Sequence, residues 1–576
     1  MAKAMEAGAR IIQSLSDNLK DPDTVKTESR VLEQAGETFG EIANAYIQHP
    51  EKIIDAQMDL LTRQGRLWQN SWQRFMGQDV EPVVPPDPGD RRFKDESWRE
   101  NPVFDFMRQS YLISADWAKD VVEKAEGVDP HTRKKAGFYT TQLANALSPS
   151  NFAFTNPEVL RLTLESNGAN LANGLEALAG DIRNGKLKIS QTDLAAFKVG
   201  QNLASTPGKV IYENRLMQLI QYAPATEQVW QKPLLIIPPW INKFYILDLN
   251  EKKSFIRWAV AQGLTVFVVS WANPDEKLRG IRFEDYMKLG ILDALDAIKQ
   301  ATGEEKVNAI GYCVGGTLLA ATLGYMAAKR DTRVSSATFF TTQVDFADAG
   351  DLLVFVDEEQ VEAVEETMAE KGYLDGASMA NAFNLLRSND LIWSYVVNNY
   401  LKGKQPLPFD LLYWNSDSTR MPAATHSFYL RQCYLYNNLS KGKMELDGVR
   451  IDLSKVKIPV YNLAAREDHI APLKSVFKLG RIFGGKTRLV VSGSGHIAGV
   501  INPPAAEKYQ YWTNDKDAPD LESWLAGASE HKGSWWPDWF KWLARRSGRK
   551  VPARIPGSGK LKTIEDAPGR YVLVRS

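Results

Sequence analysis

Between about residues 200 and 500, short apolar runs alternate with amphipathic helical stretches, and this alternation limits the possible folds more than any other feature of the chain. The runs are "PLLIIPPW" (233–240), "TVFVVSW" (265–271), "VNAIGYC" (307–313), "SSATFFTTQ" (335–343), "IPVYNLAA" (458–465) and "TRLVVSG" (487–493). Brief runs apolar on both faces are buried strands, and strands alternating with helices predict an α/β fold: a mostly parallel sheet covered on both sides. The interval of about 345–450 interrupts the rhythm with aromatic-rich, mostly helical sequence. Lying between two strands, it is expected to form a cap over the C-terminal edge of the sheet, where such sheets carry their sites.

The upstream texture is different. Sequence up to about residue 77 looks helical, and "LLTRQGRLWQNSWQRFMG" places Leu61, Trp68, Trp72 and Phe75 on one side, with Arg63, Arg66 and Arg74 adding charge. That stripe suits packing on its own domain, on a partner subunit, or on an apolar surface. A connector rich in proline and acid, "QDVEPVVPPDPGD" (78–90), leads to further helical sequence up to about 195. The expected division is a mainly helical N-terminal domain over 1–195 and a catalytic domain over 196–576 with the cap inserted at about 345–450. No repeat of solenoid period is present.

Composition removes several classes of function. Lys+Arg and Asp+Glu both number 70, so no positive excess points to nucleic acid. Two cysteines cannot build a disulfide framework, and "MAKAMEAGARIIQSLSDNLK" has charges where a secretory leader needs an apolar core. The reading is a cytoplasmic protein with no transmembrane segment, since every apolar run is too short or too interrupted to cross a bilayer.

One of those two cysteines, Cys313, stands in "GYCVGG", where a strand runs into a helix. G-x-C-x-G in that setting matches the nucleophile elbow, with cysteine where serine is usual, the glycines permitting a strained turn. With 40 glycines in 576 residues, a chance match is expected about once in a hundred such chains. Cys433, in "YLRQCYLYNN", lies on a helical aromatic face and reads as packing.

An elbow needs a base and an acid, in the chain order nucleophile, acid, histidine. His496, in "VVSGSGHIAG", follows the last strong strand and is the expected base among six histidines. Asp468, in "NLAAREDHIAP", follows the preceding strand and is the expected acid, with Glu467 and Asp345 as competitors. Val314 is expected to give one oxyanion N–H. The second must come from the loop after the first strand, where Pro238 and Pro239 have none to give; of Trp240 and Ile241, Ile241 is preferred. "GSGHIA" (493–498) has the outline of a dinucleotide fingerprint, but Pro503 and Pro504 interrupt the helix that motif requires. No Walker loop or zinc spacing occurs, so neither a cofactor nor a metal is expected.

Cysteine in place of serine favours transfer over hydrolysis. An acyl group passed from a CoA thioester to a cysteine remains a thioester, activated enough to acylate an alcohol afterwards. With these residues in view, the sequence resembles the polyhydroxyalkanoate synthases. The likeness runs through "DRRFKDESW" (90–98), "TPGKVIYEN" (206–214), "PPWINKFYILDL" (238–249), "GYCVGG", "NDLIWSYVVNNYL" (389–401), "FDLLYWNSDSTRMP" (409–422), "REDHIAP", "GSGHIAGVINPP" and "GSWWPDW" (533–539). "GYCVGG" looks like the class I form. The resemblance implies an α/β-hydrolase domain with a cap, preceded by a helical domain. It also implies polymerisation of (R)-3-hydroxyacyl-CoA, of short chain such as 3-hydroxybutyryl-CoA, with release of CoA. Carried over, Cys313 bears the growing polyester chain, His496 is the base and Asp468 its partner. A homodimer on cytoplasmic polyester granules, with granule-associated proteins as partners, is implied as well. A thioesterase or depolymerase is the rival, and Trp535, Trp536, Trp539 and Trp542 are expected to pack on the catalytic domain.

Overall fold

The computed structural model describes residues 22–183, 186–516 and 518–575, together with Ala7 and Arg10. The leader-free reading of the first twenty residues therefore falls almost wholly outside the described residues. The chain divides into two compact units, Met1–Asp193 with Phe383–Pro408, and Leu194–Ala382 with Phe409–Ser576.

The first unit is helical: α1 (Pro22–Gln48), α2 (Pro50–Phe75), α3 (Pro102–Glu123), α4 (Pro130–Ala146), α5 (Pro157–Glu165) and α6 (Ala169–Asp181). Three of these helices start on one local signal. Asn101, Asp129 and Asn156 each precede a proline, and each side chain accepts two backbone N–H groups of the first turn. The proline fixes φ where no intrahelical donor is needed. On α2 only Leu67 is buried, while Leu61, Trp68, Trp72 and Phe75 are 62% to 72% exposed. The apolar stripe of that helix faces out.

Residues 383–408 join this unit from inside the interval expected as a cap. Tyr400 donates its hydroxyl to Asp181 at 2.7 Å, and Asn170 donates to the Leu401 carbonyl at 2.8 Å. Gly174 lets the segment come close, because a Cβ there would sit 1.8 Å from the Tyr400 carbonyl oxygen.

The second unit is built on an 11-stranded sheet. Its strands are β1 (Gly208–Glu213), β2 (Met217–Tyr222), β3 (Leu234–Ile237), β4 (Val266–Trp271), β5 (Val307–Tyr312), β6 (Val334–Phe340), β7 (Val460–Ala465), β8 (Thr487–Ser492), β9 (Gln510–Thr513), β10 (Ser529–Lys532) and β11 (Glu565–Asp566). Their order is β10-β9-β8-β7-β6-β5-β3-β4-β2-β1-β11. The stretch from β8 to β4 is parallel throughout, and the flanking pairs are antiparallel. All six apolar runs of the sequence lie in this parallel centre. β3, β4, β5 and β7 are buried at every position, as strands covered on both faces must be.

Helix α7 (Val314–Lys329) follows β5 and is buried along most of its length, and α8 (Trp536–Ala544) buries Trp536 and Trp539. The rest of the expected cap belongs to this unit, including a helix over Ala423–Tyr429 that continues as a π-helical turn over Leu430–Leu435. Among the described residues no helix is long and apolar enough to cross a membrane.

Candidate active site

β5 ends at Tyr312 and α7 begins at Val314, so Cys313 alone makes the turn. Its φ of +51° and ψ of −125° lie outside the regions open to an ordinary side chain without strain. The turn is tied on both sides: the Cys313 N–H donates to the Phe340 carbonyl at 2.9 Å, and its carbonyl accepts from Gly316 at 2.9 Å and Thr317 at 3.2 Å.

The neighbouring glycines have a different task from the one their positions in the sequence suggest. None of them has a positive φ; the strain falls on Cys313 itself. What they provide is close approach. A Cβ on Gly311 would lie 2.4 Å from the Gly316 Cα, one on Gly315 would lie 2.5 Å from the Ile237 and Pro238 carbonyl oxygens, and one on Gly316 would lie 2.0 Å from Thr342 Oγ1. The first turn of α7 is thereby pressed against the loop after β3, bringing Val314 and the 238–243 loop together.

Asp468 and His496 come from the loops after β7 and β8, which are neighbours in the sheet. Both side chains are buried, and His496 Nδ1 lies 2.7 Å from Asp468 Oδ2. A carboxylate only accepts, so Nδ1 carries the proton and Nε2 is left for the thiol. The other oxygen of Asp468 accepts the Ile470 and Ala471 N–H groups at 2.8 and 2.9 Å, which fixes the carboxylate. Burial works against a charged His496, but the Asp468 carboxylate, a charged Cys313 and hydrogen bonds to both outweigh it, and His496 is raised above the ordinary imidazole range. The arrangement favours a charged His496 beside the Asp468 carboxylate.

The competing carboxylates are elsewhere. Glu467 is exposed, and Asp345 accepts from Asn437 at 3.0 Å and pairs with Lys478 at 3.4 Å. Cys433 is fully buried, and burial pushes its thiol up. Val314, as the first residue of α7, has an N–H outside the intrahelical ladder. Ile241 follows the two prolines, and its carbonyl accepts from Thr419 at 3.3 Å.

Two groups of residues escaped the sequence reading as parts of the site. Trp535 and Trp536 donate their indole N–H groups to the Gly499 and Val500 carbonyls at 2.8 and 2.9 Å, clamping the turn that carries His496. Their clustering in "GSWWPDW" was legible, but not what they hold. Tyr429 and Tyr434, 5.5 Å apart in T-shaped contact, are raised by burial and then by neighbouring groups that include Cys313. Phe346 and Trp240 pack against this pair. Trp393 and Tyr395, aromatics of the interval expected to form the cap, lie instead in the segment grouped with the helical unit.

Residues 89–259 match the family described as Poly-beta-hydroxybutyrate polymerase (PhaC) N-terminus, and residues 232–503 match the alpha/beta hydrolase fold. A Poly(3-hydroxyalkanoate) polymerase of Methylorubrum extorquens is 57% identical over 95% of this chain and 91% of its own length. The chain belongs to the poly(3-hydroxyalkanoate) polymerase family. The polymerase subunit PhaC of Rhizobium meliloti is 56% identical over 97% of this chain and 90% of its own, and that of Cupriavidus necator 43% over 91% and 90%. The chain is thus an acyltransferase of α/β-hydrolase fold. In this polymerase the hydrolase-fold match contains Cys313, Asp468 and His496, and both matches contain the 238–243 loop.

Proposed function

We propose that this enzyme polymerises (R)-3-hydroxyacyl-CoA, of short chain such as 3-hydroxybutyryl-CoA, into polyhydroxyalkanoate through a thioester on Cys313. The observation that carries the mechanism is a cysteine held at a strained elbow beside a buried, carboxylate-paired histidine. The names of the relatives support the substrate class.

The Cys313 thiolate, stabilised by the His496 imidazolium, attacks the carbonyl carbon of the CoA thioester. The oxyanion that forms accepts hydrogen bonds from the Val314 and Ile241 N–H groups. As the carbonyl re-forms, the bond to CoA sulfur breaks, His496 returns a proton to the CoA thiolate, and the acyl group stays on Cys313. Neutral His496 then takes the proton of a second monomer's 3-hydroxyl as that oxygen attacks the Cys313 thioester. The ester bond forms and Cys313 leaves as thiolate, with His496 again an imidazolium held by Asp468. The lengthened chain, now a CoA thioester, returns to Cys313 with release of CoA. No cofactor or metal enters any step.

Water would intercept the waiting thioester, and Trp240, Phe346, Tyr429 and Tyr434 are the side chains suited to keep it out. The exposed stripe of α2, with Trp68, Trp72 and Phe75, suits the apolar surface of a polyester granule in the cytoplasm. Granule-associated proteins and a second copy of the chain in a homodimer are the further partners.

The test is incubation with 3-hydroxybutyryl-CoA while CoA release and product size are followed together. Long polyester with little free acid is expected, with the chain recovered on the Cys313 peptide. Release of mainly free 3-hydroxybutyrate under monomer excess would replace the synthase with a thioesterase.

A further inference from the structure

Two residues beyond Ile241, the side chain of Lys243 is 3% exposed and turned inward. It donates to Asp417 Oδ1 at 2.7 Å and to the backbone carbonyl of Val574 at 2.9 Å. The other oxygen of Asp417, whose side chain is 1% exposed, accepts the Tyr245 hydroxyl at 2.8 Å. Arg575 closes the cluster, 3.6 Å from Asp417 and stacked over the Tyr413 ring at 4.6 Å.

A buried lysine–aspartate pair gives up so much hydration that apolar side chains of the same volume often serve stability as well. What the pair does provide is fixed geometry, and the loop it holds is short of other supports. Pro238 and Pro239 have no N–H, and the loop from there to Lys243 contains no helix or strand, only an isolated bridge from Asn242 to Ser418. The Trp271 indole donates to the Pro238 carbonyl at 2.9 Å, and the later carbonyls are tied to one segment: the Thr419 hydroxyl donates to Trp240, the Thr419 N–H to Ile241, and the Trp414 indole to Lys243 at 2.7 Å. Asp417 lies in the middle of that segment. Residues 570–575 cover the pair, anchored by buried Val572, by the Tyr571 hydroxyl on the Asn214 carbonyl at 2.8 Å, and by Asn273 on the Val574 carbonyl at 3.2 Å.

We infer that the Lys243–Asp417 pair, with residues 570–575 laid across it, is a positioning device that holds the Ile241 N–H on the carbonyl oxygen of the thioester bound at Cys313. Lys243 touches no reacting atom and acts through the loop. The inference rests on the oxyanion role proposed above for Ile241.

The test compares two reactions of one thiol. Acylation of Cys313 by 3-hydroxybutyryl-CoA passes through an oxyanion; alkylation by iodoacetamide displaces iodide at a saturated carbon and forms none. Loss of one oxyanion donor costs about 10² to 10³ in rate. Lys243→Met is therefore expected to slow single-turnover acylation by about 10²-fold while alkylation stays within about twofold. Asp417→Asn should fall in the same direction, and Lys243→Arg, which keeps the charge, should recover part of the loss. Equal loss of acylation and alkylation would make the pair a general support of the site and overturn the inference, as would no loss of either. Should Lys243→Met fail to fold, deletion of 574–576 removes the accepting carbonyl, leaves Val572 in place, and is read by the same ratio. If the unaltered protein releases CoA with no acyl group found on Cys313 by mass spectrometry, the proposed function fails first and this inference with it.

Discussion

The two cysteines of the chain stand in opposite surroundings. Cys313 is strained, half-buried and next to an imidazole that faces a buried carboxylate. Cys433 lies in a π-helical turn, fully buried, with its thiol pushed up by loss of water. The same functional group is set beside a buried histidine–carboxylate pair in one place and kept neutral by burial in the other. Reactivity follows from the elbow, the neighbouring charges and the access to solvent, not from the residue type.

The strongest test of this contrast is to remove each thiol in turn. Cys313→Ala should abolish CoA release to the background rate, whereas Cys433→Ala should leave it within about threefold, because a buried neutral thiol forms no acyl-enzyme. An acyl chain found on Cys433 would break the comparison. Next in size is the carboxylate behind the histidine. Asp468→Asn should cost about 10³ to 10⁴ in kcat by losing the tautomer that aims Nε2 at the thiol, and Asp345→Asn, paired instead with Lys478, should cost little. Comparable losses in steady-state CoA release would undo that choice.

A smaller effect is expected from the close approach beneath the elbow. The Cβ of Gly315→Ala would meet two backbone carbonyls at 2.5 Å, so the helix or the loop must shift. A displacement of that kind should lower kcat by about 10² with about 1 to 3 kcal/mol of stability lost, measured by denaturant unfolding. Unchanged activity would show that the contact is not needed. The smallest effect concerns the helix that leads to Cys433. His426 is buried there, and burial lowers it to about 4. In the unfolded chain it takes up a proton near 6.5, so between these values the unfolded state binds more protons and stability falls as pH falls. The native protein should lose up to about 3 kcal/mol between pH 6.5 and 4 through this group, and His426→Gln should flatten that part of the profile. A slope unchanged in the variant would show that His426 contributes nothing to it.

Much of the sheet and of the candidate site could be read in the sequence because the signals are local. Alternating apolar runs specify buried strands whatever their partners, and a strand, a G-x-C-x-G turn and a helix form one continuous segment of about 25 residues. The fixed chain order of such sheets then placed Asp468 and His496 at neighbouring strand ends. The amphipathic pattern of α2 was equally plain, though nothing in it says that the stripe with Trp68 and Trp72 faces outward.

What the tertiary structure alone decided are the long-range pairings. Residues 383–408 leave the expected cap for the helical unit through Tyr400 on Asp181, 219 positions away, at a contact only a glycine allows. Lys243 finds Asp417 across 174 positions, and Trp535 finds the Gly499 carbonyl that steadies the histidine turn. Such contacts depend on the shapes and polar groups of two surfaces formed separately, and no local period or motif encodes which surface meets which. Sequence by itself determined the candidate residues, Cys313, Asp468 and His496, since the elbow motif and the chain order are written along the chain. The fold determined what holds them still, since that is a property of surfaces brought together from afar.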